Sequence, residues 1–193
     1  MSDNCAGDIN EQGFLNGLER QGFNNSKAVL EIIGNSIDAG ASNINIEIEK
    51  KQISIIDNGK SMNREKIQNM FSMHNENHTN EKSIGVSGLG GKVAQLILSN
   101  KTKVTIYTYD GINYNKITVP WNEMFEIGKY TNMVNIDYMS RSEEEWFSTK
   151  LNKTGTIIQF IYNESLKETL KNQFKDIYES ELSYFDIPSI VYG

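Results

Sequence analysis

Between Ser26 and Asp38 the apolar residues recur at helical spacing. Val29, Ile32, Ile33 and Ile37 take one side, and Glu31, Asn35 and Asp38, at i, i+4 and i+7, take the other. The spacing predicts a helix over 26–38 that stops at Gly40, with cap residues supplied by Asn24-Asn25-Ser26. The period then changes. Asn43 to Glu49 alternates strictly, which predicts a half-buried strand with Ile44, Ile46 and Ile48 inward. Lys50-Lys51 turns the chain, and Gln52 to Ile56 returns as a second, antiparallel strand ending in Asp57-Asn58-Gly59-Lys60-Ser61-Met62. Asn63 caps a third element, a helix reaching Met73 with Ile67, Met70 and Phe71 on its apolar side.

Before these elements, residues 1–12 read as a mobile arm, and Gly13 to Gly22 as a short helix through Phe14, Leu15 and Leu18. After them, His74 to Gly91 is a long polar and glycine-rich loop, of the kind that serves as a lid or binding loop. Val93, Ala94, Leu96 and Ile97 mark a short helix. Lys103–Tyr109 and Ile112–Val119 read as strands joined at Asp110-Gly111, a hairpin signal. Residues 121–140 carry no clear period. Ser142 to Glu145 matches a capping box opening a helix through Trp146, Phe147 and Leu151. Thr154–Tyr162 reads as an apolar strand carrying Gly155-Thr156. Ser165 to Glu168 is a second capping box, starting a helix striped with Leu166, Leu170, Phe174, Ile177 and Tyr178.

Composition narrows what such a chain does. With 193 residues, 38% hydrophobic and 23% charged, it has material for one ordinary domain and its core. The net charge of −6 disfavours a domain built to grip a phosphate backbone, and Lys50-Lys51 and Lys101/Lys103 are only small basic clusters. A single cysteine, Cys5, allows no disulfide framework within the chain and fits a reducing cytoplasmic or nuclear compartment. No apolar run resembles a signal peptide or a membrane span.

The chemistry begins on the 26–38 helix. Its polar side holds two carboxylates and an amide with no cation. Two readings stand: a solvated amphipathic face, or donors for a divalent ion and an activated water. Asp57-x-Gly59 taken alone is an ordinary turn. The run Gly85, Gly88, Gly90, Gly91 followed by Lys92 fits neither a P-loop nor a dinucleotide fingerprint, since Val93 follows Lys92. His74 and His78 stand at i, i+4 like a metal pair, but no third ligand is evident, so zinc is disfavoured.

In order, the Glu31/Asn35/Asp38 helix, Asp57-x-Gly59, the Gly85–Lys92 loop and Gly155-Thr156 resemble the GHKL superfamily of ATPases: gyrase B, the ninety-kilodalton heat-shock chaperone, histidine kinases and MutL. The resemblance covers roughly residues 14–162. Asn35-Ser-Ile-Asp38-Ala39-Gly40-Ala41 is similar to MutL. Ile84-Gly85-Val-Ser-Gly88-Leu89-Gly90-Gly91-Lys92, after Met70-Phe71-Ser72, is similar to the microrchidia (MORC) branch.

The resemblance implies an α+β two-layer sandwich, the Bergerat fold, with a mixed, largely antiparallel sheet, helices on one face and a mobile ATP lid. It implies an ATP-binding domain over 26–163, preceded by an arm and short helix (1–25). A C-terminal helix and tail (164–193) would begin a further transducer domain. Glu31 would be the general base on the attacking water. Asn35 would ligate Mg²⁺ through its amide oxygen, and Asp38 would stand behind it. Asp57 would accept from the adenine amino group, Gly59 would let the backbone approach the base, and Met62 would pack on it. Thr156 would bond adenine or a water shared with Asp57. Backbone N–H groups of Gly85, Gly88, Leu89, Gly90 and Gly91 would cradle the phosphates, and Lys92 would reach the terminal one.

Function follows the same resemblance: Mg²⁺-dependent ATP hydrolysis, with lid closure driving homodimerisation or a clamp step. A DNA or protein client would come through another domain, and the alternative is a nucleotide switch with little turnover. Two departures qualify it. The family pattern has glycine where Ser61 stands, and a left-handed serine costs about 1–2 kcal/mol unless the turn differs. Many relatives also draw a cation for the terminal phosphate from the transducer domain. Here about thirty residues follow the Gly155-Thr156 strand, which implies slow or partner-dependent hydrolysis.

Overall fold

Seven isoleucines stand at one register across the sheet of this protein. Strands β1 (Ile44–Ile48), β2 (Gln52–Asp57), β3 (Lys103–Tyr109), β4 (Tyr114–Pro120), β5 (Asn135–Tyr138), β6 (Thr156–Ile161) and β7 (Ile190–Tyr192) pair in the order β5-β4-β3-β6-β2-β1-β7. The computed structural model describes residues 10–49, 51–73, 89–162, the positions 165, 166, 168 and 172, and the strand 190–192. Ile136, Ile117, Ile106, Ile158, Ile55 and Ile46 are successive cross-strand partners, and the register continues to Ile190. Every neighbouring pair is antiparallel except β1 with β7. Residues opposite one another share a face, so this row lays a continuous branched-aliphatic surface for helices to cover.

Helices α1 (Glu11–Glu19), α2 (Asn25–Asp38), α3 (Arg64–Phe71), α4 (Gly90–Leu98) and α5 (Trp121–Ile127) contribute to the core on that face. Leu15 and Leu18 of α1, Ile32 and Ile33 of α2, Ile67 of α3 and Leu96 of α4 are all buried with the isoleucines. The opposite face is narrower. There α6 (Arg141–Lys150) sets Phe147 with Ile56, Tyr107 and Ile157, the residues that alternate with the isoleucine row. Lys150 bonds Glu47 of β1 at 2.8 Å and Lys116 of β4 pairs with Glu143, fixing α6 across the sheet. The fold is thus α+β, a largely antiparallel sheet with most helices on one face.

Local chemistry explains most boundaries. Asn24 and Asn63 accept from Lys27 N and Lys66 N, capping α2 and α3, and α2 ends before Gly40 at φ +75°. Three expectations shift. The β3–β4 connection runs over 110–113 and β4 starts at Tyr114, because Asp110 accepts from Ile112 N, Asn113 N and the Asn115 amide and closes a four-residue loop. The capping box of α6 is Ser140 with Glu143, two residues before the predicted one. Glu143 reaches Lys116 and Tyr107 on the sheet only in that register, a tertiary tie the local pattern does not encode. Finally, residues 10–12, read as part of an arm, belong to α1: Asn10 caps it, and Glu11 accepts from Tyr130 N and Thr131 N.

Residues 121–140 resolve into α5 and β5, and Tyr130 lies buried between them, its hydroxyl donating to Phe71 O at 2.8 Å. Of the second predicted capping box, Ser165, Leu166 and Glu168 are helical and Leu166 is buried; Leu170, Phe174, Ile177 and Tyr178 lie outside the described residues, as do His74 and His78. No helix among the described residues is long and apolar enough to cross a membrane.

Candidate active site

The isoleucine row gives way, two residues along each strand, to a polar one. Asp57 ends β2, Thr156 opens β6 and Thr108 lies near the end of β3, and all three are register partners in turn. Asn115 of β4 extends the row. Because β6 inserts between β2 and β3, residues separated by about a hundred positions in sequence meet at one end of the sheet.

Asp57 is held at 6% exposure. Its Oδ1 accepts from Gly59 N at 2.9 Å and its Oδ2 from Ser36 Oγ of α2 at 3.1 Å. Burial raises its pKa above the ordinary aspartate value, and these two donors partly offset the rise. A Cβ on Gly59 would lie 3.0 Å from Ala39 Cβ and 3.0 Å from Asp57 Oδ1, so a side chain there would crowd the turn where it closes over the end of α2. Asn58 pins the same turn from outside, accepting from Ser42 N and Asn43 N and donating to Ser42 Oγ.

A web of hydroxyls ties this turn to β6. Thr108 Oγ1 accepts from Met62 N at 3.1 Å and donates to Gly155 O at 3.0 Å. Thr154 Oγ1 donates to Gly59 O, and Ser61 Oγ accepts from Gly155 N at 3.0 Å. Ser61 is not among the residues of positive φ, so the strain foreseen for a serine there does not arise; the turn instead uses its hydroxyl. Gly155 is the position that needs glycine. Its φ is +99°, and a Cβ there would fall 1.9 Å from Asp57 O.

On the other side, α2 and α4 meet through glycine. A Cβ on Gly90 would lie 2.1 Å from Glu31 Oε1, and one on Gly91 3.3 Å from Asn35 Nδ2. The carboxylate and the amide of α2 therefore sit against the first turn of α4, whose free N–H groups and helix dipole favour an anion. Burial raises the pKa of Glu31, with Lys27 opposing and Asp38 adding to the rise. Lys92, one position further, is 2% exposed, and burial lowers its pKa to about 8.

A cavity of about 400 Å³ joins the two halves, within the range of ordinary small-ligand sites. Its walls include Glu31, Asn35, Asp57, Met62, Gly91, Lys92 and Thr156, so seven of the residues singled out by sequence converge here. Gly59 borders it through Asp57, and Leu89 and Gly90 form the start of α4 outside the lining. Asp38 is exposed at the end of α2 and does not line the cavity. Gly85 and Gly88 lie outside the described residues.

An acid and an amide on one helix, a buried aspartate in the same cavity and a lysine on a glycine-opened helix form an ordered set along the chain. Over residues 23–156, more than half its length, that chain matches the histidine kinase-, DNA gyrase B- and HSP90-like ATPases. The chain belongs to this family. No curated protein matches it. Asp57 and Glu31 both lie within the matched span and both line the one cavity.

Several lining or supporting residues of this ATPase domain escape sequence reading. Ser36, Lys60, Lys66, Asn69 and Gln95 line the cavity, and Thr108 supports it from behind Gly155. The Ser36–Asp57 bond spans twenty-one positions and the Thr108–Gly155 bond forty-seven, so no local pattern announces either. Gln95 does carry a signal: a polar residue at i+3 from Lys92 on an otherwise apolar helix.

Proposed function

We propose that this protein binds ATP with Mg²⁺ and hydrolyses it slowly, using closure over the nucleotide to drive dimerisation or a clamp step. The observation that carries the reading is that Asp57, buried with a Gly59 N–H beside it, and Glu31, laid against Gly90, line the same cavity.

In this reading Asp57 accepts the adenine amino group, a charge-assisted bond of about 1.5–3 kcal/mol that disfavours a purine with a carbonyl there. Gly59 keeps the backbone close, Met62 packs on the base, and Thr156 adds a hydroxyl. The start of α4, from Leu89 to Gly91 with Gly85 and Gly88 before it, receives the phosphates, and Lys92 supplies a positive charge. Glu31 takes a proton from the attacking water, a contribution of about 10²–10⁴ in rate. Its raised pKa suits that exchange.

The donor set suits Mg²⁺. No cluster of three or more acidic, histidine or cysteine side chains able to hold a metal exists among the described residues. Mg²⁺ commonly takes one or two protein oxygens and completes its shell with phosphates and waters. Asn35 Oδ1 would hold it there, and the ion would neutralise charge on the phosphates. Asp38 would act from behind Asn35. Dimerisation and the clamp step rest on the likeness of the Ile84–Lys92 run to MORC and of Asn35–Ala41 to MutL.

Phosphate release measured with Mg²⁺ and with a chelator tests the reading. The expected result is metal-dependent turnover abolished by Glu31→Ala while ATP still binds. Turnover unchanged in Glu31→Ala would remove Glu31 as the base.

A further inference from the structure

Among the described residues, Gln95 is the one cavity-lining side chain with both polar atoms buried and without a hydrogen-bond partner. It stands on α4 one turn beyond Lys92, at 1% exposure. Neither its Oε1 nor its Nε2 has a hydrogen-bond partner among the described residues. Leaving a buried donor or acceptor unmade costs about 1–3 kcal/mol for each group. The apolar remainder of α4, with Val93, Ala94, Leu96 and Leu98 buried, shows that an aliphatic residue would fit the helix pattern at this position.

We propose that the Gln95 carboxamide is a ligand contact for the neutral, nucleoside half of the nucleotide; this rests on the ATP reading of the cavity above. The side chain has three rotatable bonds, and a turn about them swings the amide from the wall into the space it borders. Three considerations assign it to base or ribose rather than to phosphate. The amide carries no charge to set against an anion. It lies a turn further from the α4 N-terminus than Gly91 and Lys92, beyond the reach of the free N–H groups. And it offers donors on its Nε2 and an acceptor on its Oε1 together, matching the mixed edges of a purine or the hydroxyls of a ribose, whereas phosphate oxygens use only donors. Asp57 supplies acceptors alone, so a base held there has ring nitrogens still needing a donor.

The test uses Gln95→Met, close in length and apolar, with Gln95→Leu beside it. Each is titrated with adenosine, ADP and ATP, and melting is followed with and without ligand. The expected result is an unliganded melting temperature equal to or above wild type, since an orphaned amide is removed. Affinity should fall by about three- to tenfold, the worth of one neutral hydrogen bond, and by the same factor for all three ligands. A loss that grows from adenosine to ATP would assign Gln95 to the phosphates and overturn the proposal. Unchanged affinity, a lowered unliganded melting temperature or loss of the fold in both variants would make it a structural residue and overturn it too. If wild type binds no adenosine compound, the ATP reading fails and this proposal with it. Normal wild-type binding with unaffected variants defeats this proposal alone.

Discussion

Glu31 rests directly on Gly90: a single methyl on that glycine would stand 2.1 Å from the carboxylate Oε1. The contact fixes the acid of α2 against the opening turn of α4 and leaves room for nothing larger than hydrogen. Gly90→Ala must therefore displace Glu31. We expect turnover to fall at least tenfold while ATP affinity changes far less. Glu31→Gln should lower turnover by about 10²–10⁴ with binding retained. Steady-state phosphate release alongside calorimetric affinity separates the two parameters. A fully active Gly90→Ala would show that the Glu31 position is not needed.

Burial raises the pKa of Glu31 from 4.5, so the base form is lost at a higher pH than for an ordinary glutamate. The pH profile of kcat/KM, which reports the ligand-free protein, should carry an acid limb above 4.5. Measuring kcat/KM across pH checks this, and a limb at or below 4.5 would contradict it.

Lys92 has its pKa lowered to about 8 from 10.5 by burial. The unfolded chain then binds more protons than the folded one between those values, so stability from this group rises with pH through that window. A phosphate brought to Lys92 favours its charged form, so ATP binding near pH 8 to 9 should take up a fraction of a proton. Titrations in buffers of different ionisation enthalpy measure the uptake, and Lys92→Met should abolish it. Proton release, or uptake persisting in the variant, would be the contrary finding.

Thr108 is completely buried and spends its hydroxyl on Met62 N and Gly155 O. Thr108→Val keeps the shape and orphans both, at about 1–3 kcal/mol for each buried group. ATP affinity should drop with stability, and Thr108→Ser should recover both. Gly155→Ala adds a clash with Asp57 O to an unfavourable φ, whose strain alone costs about 1–3 kcal/mol. It should lower the melting temperature more than Thr108→Val does. Thermal melts of the three variants decide the order.

Glu11 ties α1 to the 130–131 turn by accepting two backbone N–H groups, which hold its pKa below 4.5. Its lowered folded value gives a contribution present above 4.5 and lost as pH falls through that value. Amide protection in α1, taken relative to intrinsic exchange at each pH, should fall in acid, and Glu11→Gln should show the lower protection already at neutral pH. Equal protection in wild type and variant at pH 7 would show that the tie does not hold α1.

Much of the fold was legible because its signals are local. Strict alternation placed Ile44, Ile46 and Ile48, and asparagine caps and helical spacing placed α2 and α3. Where long-range contacts decide, local patterns mislead. Ser140 rather than Ser142 caps α6 because Glu143 must reach Lys116, and 121–140 has no period because α5 and β5 are short and bury only a few residues each. The cavity divides in the same way. Glu31, Asn35, Asp57 and Lys92 stand in ordered motifs, whereas Ser61 and Thr108 meet Gly155 only once β6 lies between β2 and β3, and Ser36 meets Asp57 only once α2 packs on the sheet.

Calorimetric titration of wild type and Asp57→Asn with ATP, ADP and GTP in Mg²⁺ tests adenine recognition by Asp57. Asp57 faces the cavity with its acceptors aligned by Gly59 and Ser36. Wild type should bind ATP and ADP well and GTP poorly, and Asp57→Asn should lose most of the adenine nucleotide affinity. Equal binding of GTP, or an Asp57→Asn variant that binds ATP as wild type does, would contradict it.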